Sequence, residues 1–303
     1  MSWQHPFITI DQNELRDSVA IGRVLDECCR NKWQVLIPDG AFLEFSKSGH
    51  FLDTTRRSLT LLAPYRELVC VSLKLAEMRK DELSSRTPSP TLVNEPTTKF
   101  LRSMLAELDR SEDFALRKLA EGPVAELMPA ALDVWNDHDA IKRMIQGIHD
   151  AIKASMPPEE LKALRQSPED TIPHWLSSLE RTRFVYQSLI RFGADASTAC
   201  VLTRTPSVSA GFLSGVICIA IYWIAYDGIA GAKATAISGD LNDLEYVVLG
   251  ALSRSLATRD RRASTIHRAV VSAFEERRSL PPLQQHSVSK SSHVDQVQFV
   301  GPP

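Results

Sequence analysis

A chain of 303 residues, 44% apolar and 24% charged, with 13 Gly and 17 Pro, has ample material for a hydrophobic core and is not a disordered protein. A formal net charge of -2 excludes a surface coated in basic nucleic-acid-binding residues, so any such contact has to be a local patch. Five cysteines, none in a CxxC pair, make neither a disulfide ladder nor a zinc knuckle. They read as reduced thiols, and the opening MSWQHPFITIDQ lacks the basic start and long apolar stretch of a secretory signal, so a cytoplasmic location is expected.

The apolar, β-rich run PFITI (6–10) stops at Asp11-Gln12-Asn13 and reads as a strand. ELRDSVAIGRVLDECCRN follows with helical spacing of Leu15, Val19, Val24 and Leu25. WQVLIP (33–38) repeats the pattern as a second strand, after which Asp39 suits an N-cap and Gly49 a helix stop around AFLEFSKSG. TTRRSLTLLAPY is helical in spacing, ELVCVSL (67–73) reads as a third strand, and Pro88 and Pro90 mark a boundary.

From about Thr98 to Gly193 the pattern turns to long amphipathic helices, carried by Leu101, Met104, Leu105 and Leu108, then by Ile141, Met144, Ile145, Ile148 and Ile152. Asp137-His138-Asp139 reads as a helix start and not a metal site, because no further His or Asp stands at partner spacing. Ser209 to Gly228 is almost continuously apolar over about a bilayer's thickness. Charged helices flank it and no second span accompanies it, so it reads as a helix buried on all sides. GDLNDLEYVVLGALSRSLATRDRR then gives a helix with acids in its first turn and a last strand, SLAT, and the final residues are polar and aperiodic, a disordered tail.

Two strands from opposite ends of the chain thus finish near a carboxylate, ITI-Asp11 and SLAT-Arg259-Asp260. Ligands of parallel sheets gather at the carboxyl ends of strands, so acids there share one crevice. Glu44 and Asp240 or Asp243 are placed by their helices toward the same end. Carboxylates within ~4–6 Å of one another stay ionised only beside cations, and hard oxygen donors select Mg²⁺ or Mn²⁺.

ITIDQNELR, the helix acid of IPDGAFLEF, and DLNDLEYVVLGA followed by LATRD together resemble a PIN-domain ribonuclease. The resemblance covers roughly residues 5–85 and 205–275. It implies a PIN-like three-layer α/β/α fold with a central parallel sheet of about four strands, interrupted by an all-α insertion. The expected division is a discontinuous nuclease domain (1–90 plus 205–278), a helical insertion (91–204) and a disordered tail (279–303).

Carried over position by position, Asp11, Glu44, Asp243 and Asp260 match the family's acids, with Asp240 an alternative or additional metal ligand and equally an N-cap. Asn13 and Thr258 match positions that support the first and last acids. The implied activity is metal-dependent hydrolysis of RNA phosphodiesters, one Mg²⁺ or Mn²⁺ ion activating water and a second stabilising the leaving oxygen, with no protein nucleophile. Arg16, Lys47, Arg259, Arg261 and Arg262 are candidates for phosphate binding, with Arg254 and Arg268 nearby; a merely solvated basic face is the alternative.

The implied partners are single-stranded RNA and, if the chain is a toxin or stress effector, an inhibitory antitoxin-like protein; no membrane is expected. The insertion could serve as a lid, a homodimer surface or a dock. A structure-specific DNA nuclease would use the same acids, although the insertion is not strongly basic. A non-catalytic PIN-like scaffold that binds protein or RNA through the insertion is the other reading. No nucleophilic triad and no Gly-rich phosphate loop is present in the sequence, and Trp135, Trp175 and Trp223 read as packing residues.

Overall fold

The structure is a computed structural model, and it describes residues 6–41, 57–108, 137–177, 179–226, 228–253 and 255–279. Four short strands, β1 (Phe7–Ile10), β2 (Gln34–Ile37), β3 (Val69–Val71) and β4 (Ser255–Ala257), form one all-parallel sheet in the order β3-β2-β1-β4. The register pairs Ile8 with Ser255 and Ile10 with Ala257, so the ends of β1 and β4 lie level. The fold is therefore α/β, with a mostly helical remainder.

β1 leads through the single turn α1 (Gln12–Leu15) into α2 (Ser18–Asn31). Asp17 caps α2 by accepting from the amides of Val19 and Ala20, and Lys32 closes it in the left-handed region, its amide donating to the Cys28 carbonyl. A 3-10 segment at Ala63–Leu68 precedes β3, and α3 (Leu75–Ser85) and α4 (Glu95–Leu108) follow it. Five helices occupy most of the middle: α5 (His138–Ser155), α6 (Pro158–Gln166), α7 (Pro168–Ser177), α8 (Leu179–Arg191) and α9 (Ala196–Arg204). α10 (Val208–Ala225), α11 (Ala234–Leu252) and α12 (Arg261–Ser279) complete the described chain around β4.

Alternation along the strands sorts the core into two clusters. Ile8, Ile10, Val35, Ile37, Val69 and Val71 pack with Ile21 and Leu25 of α2 and with Leu101, Met104 and Leu105 of α4. Phe7, Leu36 and Cys70 point the other way, into a larger cluster that runs through α5 to α12. α4 begins inside the stretch read as the insertion, yet it is tied to the sheet: the Thr98 hydroxyl accepts from the Val71 amide, and Arg102 Nε donates to the Val69 carbonyl. The helices from α5 onward contribute to one core cluster together with α10 and α11.

α10 is the apolar segment that has the length and composition to cross a membrane, and most of it is buried within the protein. Its neighbours include α5, α11 and α12. Gly215 lets α11 come close, since a Cβ there would stand 2.6 Å from Leu244 Cδ2. The amino end of α10 is held by Glu82, a fully buried carboxylate of α3. It accepts from the amides of Val208 and Ser209, both at 2.8 Å, and so answers the unpaired donors and positive dipole of a helix start. Asp137 caps α5 through the Ala140 amide, as a helix start at this position requires.

α11 begins earlier than the sequence pattern placed it. Its first turn is Ala-Thr-Ala-Ile, Gly239 continues the helix, and Asp240 and Asp243 fall in its interior. Asp240 is therefore not an N-cap. Likewise Asp39 is not a cap but already lies within a helical turn after Pro38. Gly49, Trp135 and nearly all of the tail lie outside the described residues.

Candidate active site

The carboxyl ends of β1 and β4 meet at one hydroxyl. Asp11 Oδ2 accepts from Thr258 Oγ1 at 2.7 Å, and the same hydroxyl accepts from the Asp260 amide at 3.0 Å. The parallel register makes this contact: the Asp11 amide donates to the Ala257 carbonyl at 3.0 Å, which sets Thr258 beside Asp11. Two acids 249 positions apart in the sequence are thereby joined through one side chain.

Asp11 is buried, and its other oxygen accepts from the Asn13 amide at 3.1 Å. Asn13 thus supports Asp11 through its backbone, while its side chain is exposed. Asp260 is exposed and starts α12, its Oδ1 accepting from the amides of Arg262 and Ala263 at 2.7 and 2.9 Å.

Asp240 has a different setting. It is buried, Oδ2 accepts from the Trp223 indole at 2.9 Å, and Oδ1 takes a hydrogen bond from Arg262 Nη1. Burial raises its pKa above the ordinary carboxylate value, Arg262 and the indole act against that, and the charge of Asp260 adds to the rise. Arg262 lies 5.0 Å from the ring centres of both Tyr222 and Trp223. With both oxygens of Asp240 engaged and Arg262 turned onto it, this arrangement supports neither the metal role considered for Asp240 nor the phosphate role considered for Arg262. Trp223 does more than pack, since it donates the bond that holds Asp240. Asp243 is half-buried on α11, which packs against β1 and β4, and it has interactions of its own.

Arg259, Arg261 and Arg268 are also paired. Arg259 lies 3.2 Å from Glu14 Oε1 and 2.5 Å from Asp17 Oδ2. Burial raises the pKa of Glu14, Arg259 lowers it, and Asp11 and Asp17 raise it again, so Glu14 belongs to the same electrostatic neighbourhood as Asp11. Arg261 reaches Glu169 Oε1 at 2.6 Å and Arg268 reaches Oε2 at 3.3 Å. Arg16 closes α1 and is exposed. Glu44, Lys47 and Arg254 lie outside the described residues. Among the described residues, no group of three or more His, Cys, Asp or Glu side chains is close enough to hold a metal ion.

The sequence pattern missed Glu14, Glu169 and Glu245. Glu14 stands three residues after Asp11, the spacing that returns to the same side of a helical turn, and this was the available signal. Glu245 Oε2 accepts from the Gly40 amide at 3.1 Å and crowds it so closely that a Cβ at position 40 would stand 2.0 Å away. Glu169 had no signal, because the α7–α12 contact that positions it is tertiary.

Compared with protein-family models, curated proteins and solved structures, the chain matches none.

Proposed function

We propose that this chain is a PIN-like, Mg²⁺- or Mn²⁺-dependent endoribonuclease acting on single-stranded RNA in the cytoplasm, with Asp11, Glu44, Asp243 and Asp260 as its acids. The observation that carries the reading is that the Asp11 carboxylate and the Asp260 backbone amide share the Thr258 hydroxyl, on the end of the sheet where ligands of parallel folds bind. Asp11 fits a cation: it is buried, and among the described residues its carboxylate receives only neutral donors, a hydroxyl and an amide. The donors are hard oxygens, which suit Mg²⁺ or Mn²⁺.

In this reading Thr258 fixes the carboxylate plane of Asp11, and the start of α12 fixes Asp260. Both acids are then oriented before substrate arrives. A divalent ion bound there supplies Lewis acidity and a water of lowered pKa. Asp243, and not Asp240, is the third acid, because Asp240 is neutralised by Arg262. An inhibitory partner and a second copy of the chain are the proposed occupants of the helical face.

A gel assay of purified protein on mixed RNAs, with Mn²⁺ and with EDTA, tests the proposal. Cleavage by wild type and its loss in Asp11→Asn are expected; identical behaviour of the two proteins overturns it. One observation favours a non-catalytic scaffold instead: Arg259, Arg261 and Arg262 are all bound to the protein's own acids. A scaffold predicts no carboxylate-dependent Mn²⁺ binding, which a titration of wild type against Asp11→Asn reads.

A further inference from the structure

Beside Asp260 lies an open cleft of about 480 Å³, lined among others by Thr258, Arg261, Ser264, Arg268 and Glu169. It is continuous with the acid pair, because Thr258 belongs to both. Two guanidinium groups two turns apart on α12 converge there on the two oxygens of one carboxylate, Glu169. Arg261 brings both Nε, at 2.7 Å, and Nη2, at 2.6 Å, to the one oxygen Oε1 and leaves Oε2 to Arg268, so the two guanidinium groups between them present the donors that a carboxylate or a phosphate accepts. Glu169 comes from α7, in the helical middle of the chain, and it is the acid of that helix's first turn that reaches α12.

Outside the cleft's lining, Tyr226 at the end of α10 is 38% exposed, although it is a large ring. It stacks on Tyr222, the ring centres 4.4 Å apart, so one of its faces is already supported. Tyr226 stands near enough to Arg261 and Glu169 for both charges to act on its hydroxyl. An exposed aromatic ring supported on one face, within electrostatic reach of an arginine, is the kind of pairing by which proteins hold an unpaired nucleotide, base on ring and phosphate on guanidinium.

We propose that this cleft is a nucleotide subsite for single-stranded RNA, in which a backbone phosphate displaces Glu169 from Arg261 and Arg268 and the adjoining base stacks at Tyr226. Glu169 is an internal competitor that keeps the arginines ordered and partly neutralised when RNA is absent. The helical segment thereby regulates entry to the acid pair. The subsite rests on the nuclease reading for its place in a reaction, but its binding does not require metal.

The experiment measures fluorescence anisotropy of a labelled, short single-stranded oligoadenylate, titrated with intact protein in EDTA at low salt, where no cleavage can intervene. Glu169→Gln should bind about fivefold to tenfold more tightly than wild type, since a competing charge is removed. Arg261→Ala should bind at least about fivefold more weakly, and Tyr226→Ala about fivefold or more. A purely structural ion pair would make Glu169→Gln bind equally or more weakly, and that result overturns the proposal, as does wild-type affinity in Arg261→Ala. Glu169→Asp keeps the charge but shortens the reach, so it should show a smaller gain in affinity; should Glu169→Gln fail to fold, the absence of any gain in Glu169→Asp overturns the proposal. Loss of Mn²⁺-dependent cleavage activity would sink the nuclease reading and leave these affinities untouched, whereas unchanged affinities beside intact cleavage would sink the subsite alone.

Discussion

Asp11 and Asp240 are both buried carboxylates near the same sheet end, and they differ in what surrounds them. Asp11 accepts from a threonine hydroxyl and a backbone amide. Asp240 accepts from an arginine, which lies 5.0 Å from the centres of two aromatic rings, and from an indole. Neutral donors orient a carboxylate but leave its charge in place for a cation; an arginine cancels that charge and closes the site. The contrast separates an acid that meets no cationic side chain among the described residues, as the proposed function requires, from one that ties α10, α11 and α12 together.

The strongest way to break this comparison is Asp11→Asn, which keeps both hydrogen-bonding neighbours in reach. Outer partners of metal ligands account for about tenfold to hundredfold in activity, so loss of a proposed ligand should cost more than about a hundredfold in RNA cleavage. The melting temperature should move little, because no buried ion pair is broken. Asp240→Asn should do the reverse. Removing one partner of a buried pair destabilises by several kcal/mol, and since Arg262 keeps about a third of its side chain in solvent (32%), about 2 kcal/mol is expected. Urea unfolding reads that loss, with cleavage changed less than about threefold.

Thr258→Val sharpens the comparison further by removing the hydroxyl that joins the two strand ends while keeping its shape. Cleavage should fall about tenfold and stability by about 1 kcal/mol, which a gel assay and a thermal melt would separate from the Asp11 effect. The smallest effect concerns the end of β2. Asp39 is buried, and burial raises its pKa above the ordinary value of 3.8, with Lys74 acting against and Glu77 adding to the rise. The folded state therefore binds the proton more tightly than the unfolded state, so this group's contribution is most favourable below 3.8 and is lost as pH rises through the folded value. Asp39→Asn should remove that decline: relative to wild type the variant gains stability between about pH 3 and pH 7 in paired urea titrations. No relative gain across that range would mean that Asp39 is better solvated than its burial indicates.

Much of the fold was legible because strands and amphipathic helices leave local periodicities. The runs at 7–10, 34–37 and 69–71 lie within the segments read as strands, and SLA at 255–257 within SLAT. The starts of α11 and of the turn at Asp39 were not legible. There Gly239 and Asp39 look like helix boundaries in isolation; packing of α11 on α10 and α12 accompanies the helix that runs through Gly239, while at Asp39 the helical turn opens one residue earlier than a cap would place it. At the site, Asp11, Thr258 and Asp260 could be proposed from strand-end position, but the partners of Arg259, Arg261 and Arg262 could not.

The sequence by itself determined which residues could be acids at strand ends, which segments were apolar enough to form strands, and that Ser209 to Gly228 had to be buried or embedded. Only the tertiary structure decided that Asp11 and Asp260 share a threonine, that Asp240 is neutralised by Arg262, and that Glu169 from a distant helix occupies the arginines of the cleft. The reason is one of range. Periodicity is written by neighbours a few positions apart, whereas the charge state and availability of a side chain are set by groups within a few ångströms that the chain brings from 22 to 247 positions away.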